Sequence, residues 1–230
     1  MHMDNKLKAV GLRITFVASV VLSSGCGSPT LAKVGQPDLL AGMTFADSIT
    51  DEDVAYLRDS LHWLYVYLPE WYDYVMQAKP LTLSVDLAAG EQGRLAKTKC
   101  CDEQGRGAIT FGLHLKQLAA SDNPDDQTRE SRQIAFLSTL VHEATHIADR
   151  RAGRISQTID VPTCIAGEGA AFAQELAFKR ALVAEMSRHA DWGGAWQLAA
   201  EKQIQVEASA LNGEALKLYC VLVTLVGESE

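Results

Sequence analysis

The chain has 230 residues, 47% of them hydrophobic, which suits one domain with a real core and shows no low-complexity tract or internal repeat. Against 21 basic residues stand 29 acidic ones, for a formal net charge of −8. That balance argues against nucleic acid as a partner and against adhesion of the protein surface to anionic lipid.

Residues 1–25 read as a signal segment. Lys6, Lys8 and Arg13 form a basic front, and Ile14 to Leu22 an apolar stretch. About ten apolar residues are too few to span a bilayer, which takes roughly 20. Leu22-Ser23-Ser24-Gly25-Cys26 follows and resembles the lipobox of bacterial lipoproteins, with Leu22 one place further from the cysteine than usual. The resemblance implies export to the cell envelope, acylation of Cys26 and anchoring to a membrane through that lipid. A plain cleaved signal with an incidental cysteine is the alternative. Cleavage before Cys26 removes three basic groups and one acidic group and leaves a charge of −10. Residues 26–45, opening on Gly27-Ser28-Pro29, read as a flexible tether, and 46–230 as the folded domain.

Thr50-Asp51-Glu52-Asp53 predicts a helix start, with Leu57, Leu61, Leu64 and Leu68 on one side as far as about Tyr67. Pro69 ends it, and a short second helix covers Trp71 to Met76. Trp63, Tyr65, Trp71 and Tyr72 read as core aromatics, and His62 as an ordinary histidine. Leu81 to Leu87 alternates apolar with polar, as a half-buried strand does. A polar loop holding Gly90, Gly93, Cys100 and Cys101 leads to a second alternating stretch, Gly107 to Leu115. The two strands are expected to pair in a small, mostly antiparallel sheet. The second would rim a cleft where an extended peptide adds through its backbone, with Gly107 and Gly112 permitting close approach. Relief of a bulge is the other reading of those glycines.

A long apolar helix follows, with Asn123-Pro124-Asp125-Asp126 as its start and Gly153 as its stop. It carries Val141-His142-Glu143-Ala144-Thr145-His146-Ile147, an H-E-x-x-H motif. His142 and His146 stand one turn apart on one face and can reach a common point, the spacing of a zinc-ligand pair. Glu143 projects about 100° further round, beside such a metal instead of on it. An apolar helix should not bury two histidines and a glutamate unless something satisfies them, and a metal ion would.

From Glu168 a helix of small residues runs to about Met186, with Glu168 and Glu175 on one face. Either glutamate can complete a His₂Glu site. Trp192-Gly193-Gly194 then breaks the chain, Ala195 to Leu211 reads as helix, and Glu214 to Val226 as a last apolar one. His189 and Tyr219 are the downstream candidates for contacting a transition-state oxyanion.

His142-Glu143-x-x-His146 followed after 21 residues by Glu168-x-x-Ala171 resembles the gluzincin branch of the zincin metallopeptidases. That family takes its third ligand from a glutamate on the next helix. The resemblance implies an α+β zincin-like fold with a helical C-terminal half. It implies Zn²⁺ held by His142, His146 and Glu168, and a water activated by the general base Glu143. The substrate would be a peptide or protein. Phe172 stands where the family has an aspartate that steadies a ligand histidine, and Asp149 is the substitute that the sequence offers. A non-catalytic scaffold that binds a partner, and a cell-wall amidase, are the competing functions; an intact Glu143 favours hydrolysis. Oligomeric state is not legible. Of the four cysteines beyond Cys26, Cys100 or Cys101 is expected to join Cys164, with a cysteine metal site as the weaker alternative.

Overall fold

The computed structural model describes residues 38–91, 95–118, 129–156, 160–189, 201–202, 204–205 and 213–227. The signal segment, Cys26, the start of the long apolar helix and the stretch from Ala195 to Leu211 therefore lie wholly or mostly outside the described residues.

The first helix, α1 (Asp51–Tyr67), starts where its capping signal stands. The Thr50 side chain accepts from the Asp53 backbone N–H, and the Asp53 carboxylate accepts from the Thr50 N–H at 3.0 Å. Its stripe of Leu57, Leu61, Leu64 and Leu68 is buried throughout. Pro69 takes the first position of α2 (Pro69–Met76). Trp63, Trp71 and Tyr72 pack against the core as expected, whereas Tyr65 is exposed.

Four strands form a mixed sheet: β1 (Met43–Phe45), β2 (Leu81–Val85), β3 (Ala96–Lys99) and β4 (Gly107–Phe111), in the order β1-β2-β4-β3. β1 and β4 both run parallel to β2, and β3 alone is antiparallel, to β4. The expectation of a mostly antiparallel sheet is corrected: β2 and β4 do pair, but parallel. Between them the chain inserts the short helix α3 (Leu87–Glu91) and β3, giving a crossover in place of a hairpin. β1 also replaces the end of the expected tether, since Leu39 and Met43 are already buried.

The central helix α4 (Arg129–Arg151) packs against α2, β3 and α5. Ile134, Phe136, Leu137, Leu140, Val141, Ala144 and Ile147 are each at most 1% exposed, so it is buried nearly all round. Gly153 ends it at φ 67°, with Gly153 N–H bonded to Arg150 C=O and Arg154 N–H to Asp149 C=O. That is the double bond of a Schellman stop, and it requires the left-handed conformation that glycine tolerates. The Arg151 guanidinium donates to the carbonyls of Gln77, Ala78, Lys79, Pro80 and Gly105 and so ties the end of α4 to the entry of β2.

Beyond α4 come α5 (Val161–Met186) and α6 (Gly213–Gly227). The cysteine pairs are Cys100–Cys101 and Cys164–Cys220, not the expected bond from the 100/101 pair to Cys164. Cys100 Sγ lies 3.8 Å from the Ile147 carbonyl, where β3 meets α4. Cys164 lies in the first turns of α5, against α6, on a different face of α4. Among the described residues no helix is long and apolar enough to cross a membrane.

Candidate metal centre

The site forms where α5 crosses α4. Asp160 caps α5 by accepting from Thr163 N–H at 2.7 Å, and Pro162 sits in its first turn, so the helix begins two turns before Glu168. Small residues then let it approach. A Cβ on Gly167 would press on Ile155 Cδ1 at 3.3 Å and come into contact with His146 Nδ1 at 3.8 Å.

Three predicted residues converge. His142 Nε2 lies 3.1 Å from His146 Nε2 and 3.2 Å from Glu168 Oε2, and His146 Nε2 lies 3.5 Å from Glu168 Oε1. Their side chains are 12%, 12% and 18% exposed, so the cluster is mostly but not wholly closed to solvent. This group could hold a metal ion. Ligands at about 2.0–2.1 Å from a tetrahedral ion stand roughly 3.3–3.4 Å from one another; the two imidazole nitrogens are near that spacing, and Glu168, which meets the two rings through different oxygens, would turn one of them to the ion.

Glu175, the alternative ligand, is placed behind His142. Its Oε2 lies 3.2 Å from His142 Nδ1, and its Oε1 accepts from Lys179 Nζ at 3.0 Å. With Nδ1–H directed at a carboxylate, His142 turns Nε2 towards His146 and Glu168. Asp149 does not steady either histidine, because its carboxylate accepts from Arg154 Nε at 2.7 Å. Phe172 packs edge-on against His142, ring centroids 4.7 Å apart.

The electrostatics are those of a cation site. Burial opposes a charge on His142, but hydrogen bonds to Glu168 and Glu175 outweigh it and push its pKa up to about 10. Burial likewise resists ionisation of Glu168, yet its bonds to His142 and His146 hold its pKa down at about 2. Glu175 too is held below the usual carboxylate range by His142 and Lys179 despite its burial. Metal-free, the cluster keeps a proton where a cation would sit.

Glu143 is buried, on the side of α4 that faces β3, and its Oε2 accepts the Thr98 hydroxyl. Its charge still reaches His142 and helps raise that pKa. β4, expected at the cleft rim, is paired on both sides; β3 is the edge strand beside Glu143. Gly107 serves the fold instead of a ligand: a Cβ there would stand 2.7–3.0 Å from Ile147, so it lets α4 settle on the sheet. His189 lies just past the end of α5 and bonds Glu185 Oε1 at 3.0 Å; Glu185 itself is seventeen residues and roughly 25 Å of helix beyond Glu168. Tyr219 is 48% exposed on α6, next to Cys220.

Thr98 and Lys179 were not legible as site residues. Thr98 lies in a stretch that reads as polar loop. Lys179 had one signal, its place four residues after Glu175 on the same helix. No protein-family model, curated protein or solved structure matches the chain.

Proposed function

We propose that the chain is a zinc-dependent hydrolase of zincin type that cleaves an amide bond in a peptide or protein. The convergence of His142 Nε2, His146 Nε2 and the Glu168 carboxylate carries the reading. Two imidazoles and one carboxylate, with no thiolate among them, suit a catalytic zinc with a position left for water. When bound, zinc would polarise the scissile carbonyl and bring the pKa of water down to about 7.

The chain's own residues do the rest. Glu143 is the general base: Thr98 engages Oε2, leaving Oε1 to take a proton from the attacking water and pass it to the leaving amine. Glu175 fixes the ring of His142. β3 offers the backbone for an extended substrate. Gly112 N–H bonds to Leu95 C=O, and antiparallel alternation then turns the backbone groups of Ala96 and Thr98 outward. Arg150 already covers Thr98 C=O at 3.4 Å, so a strand added there would pair through Ala96 C=O and the two N–H groups, alongside Glu143. The N-terminal pattern supports an exported protein held to a membrane through lipidated Cys26.

One observation favours the scaffold reading, in which the metal is kept and nothing is cut: Glu143 is only 6% exposed and already bonded. Glu143→Gln decides between the two. It should fold, bind zinc as the native chain does, and lose roughly 10²- to 10⁴-fold in turnover of a peptide library. A native chain that leaves the library uncut at full zinc occupancy would make it a scaffold.

A further inference from the structure

We propose that the buried pair Glu175–Lys179 is a positioning unit for His142, an inference that rests on the metal-site reading above. Lys179 is 2% exposed, and an ammonium so deeply buried persists only where a partner offsets its lost hydration. The partner stands one turn away: Lys179 Nζ donates to Glu175 Oε1 at 3.0 Å. The other oxygen, Oε2, lies 3.2 Å from His142 Nδ1. Both oxygens are thus committed in different directions, and the carboxylate plane is fixed between lysine and imidazole.

A carboxylate anchored at one oxygen accepts the Nδ1–H of His142 in one orientation. The ring then presents Nε2 to the point shared with His146 and Glu168. Phe172 packs against the same ring edge-on but offers no acceptor, so the hydrogen bond that orients His142 comes from Glu175. An apolar pair at 175 and 179 would fill the α4–α5 interface without any desolvation cost. The ion pair instead occupies the turn of α5 that stands behind a ligand. Partners of this kind are worth roughly 10- to 100-fold in metal affinity.

A double substitution separates positioning from plain packing. Glu175→Leu or Lys179→Met alone takes from a buried charge one of the groups that offset its lost hydration and should lower the denaturation midpoint. Glu175→Leu with Lys179→Met, in the full chain purified in detergent, should bring the midpoint back. Affinity for zinc or cobalt(II) in that double variant should nevertheless stay about 10- to 100-fold below native. Glu175→Gln with Lys179→Met keeps an acceptor for Nδ1–H and should recover most of that loss.

Native metal affinity in the Leu/Met variant, or equal weakness in the two double variants, overturns the proposal and leaves the metal site standing. Should the native chain take up neither metal, the metal reading fails by itself. The His142 ring then decides. A hydrogen-bonded Nδ1–H proton resonance present in the native chain and absent from the Leu/Met variant sustains the positioning role; the same resonance in both overturns it.

Discussion

Metal uptake should expel a proton from His142, and the pH range over which it does so is unusual. A metal needs the Nε2 lone pair, so the protonated ring has to give up its proton first. An imidazole near its ordinary pKa of about 6.5 ceases to oppose a metal above pH 7. His142, burial notwithstanding, is pushed up to about 10 by Glu168 and Glu175 and goes on opposing it. One proton released per ion makes apparent affinity rise about tenfold per pH unit, or about 100-fold between pH 7 and pH 9. The sign for the metal-free fold is opposite. A raised pKa stabilises fully below about 6.5, and that contribution is lost as pH climbs towards about 10. Metal-free and metal-loaded denaturation midpoints should therefore draw apart as the solution becomes more basic. Competition against a chelator, corrected for the chelator's own protonation, gives the slope. Calorimetry in buffers of different ionisation enthalpy counts the protons. An affinity that is flat above pH 7, with no proton released, would refute the reasoning.

Glu168→Gln should lower zinc occupancy far more than Glu175→Gln, since only Glu168 shares the point where both imidazoles meet; metal analysis after dialysis reads the order directly. Gly107→Ala forces a methyl to within 2.7–3.0 Å of Ile147, whose β-branched side chain has little freedom to yield, so urea unfolding should show a loss of about 1–3 kcal/mol. With Ile147→Ala in the same chain the clash is relieved, so the double variant should lose less than the sum of the two single losses. For the N-terminus, Cys26→Ser should turn a membrane-associated protein into a soluble or unprocessed one in fractionated cells; a native chain that is soluble already removes the anchor.

What the sequence disclosed was chiefly what is local. Thr50 and Asp53 announce α1 because capping is settled within four residues, and Gly153 announces the end of α4 for the same reason. The pair His142 and His146 is legible because helical spacing alone places it. Glu168 needed one further step, an antiparallel helix of small residues, and the geometry accommodates it. Elsewhere the deciding partner is remote in the chain. Ala96-Lys97-Thr98-Lys99 carries two lysines and reads as loop until β4 pairs with it, and Thr98 meets Glu143 only through that pairing. Parallel or antiparallel pairing of β2 and β4 depends on the route between them, which periodicity does not contain. The cysteine pairs follow from which faces of α4 the sheet and α5 occupy, again a tertiary fact. Asp149 and Glu175 are alike as carboxylates near the motif, and only the crossing of α5 over α4 gives the second its imidazole.

The bond between Cys164 and Cys220 closes a loop across 56 positions, with its two Cα atoms 5.6 Å apart. Chain-entropy estimates put the effect of such a closure on the unfolded ensemble at about 4 kcal/mol. It also changes what a single proteolytic cut can do. Cleavage anywhere from 165 to 219 leaves two fragments that stay covalently joined, with α6 still fastened to the helix that supplies Glu168. On a denaturing gel such nicked protein would run as one species until a reductant parts it. Damage inside that interval thus becomes an internal break in one molecule instead of the loss of its C-terminal helix.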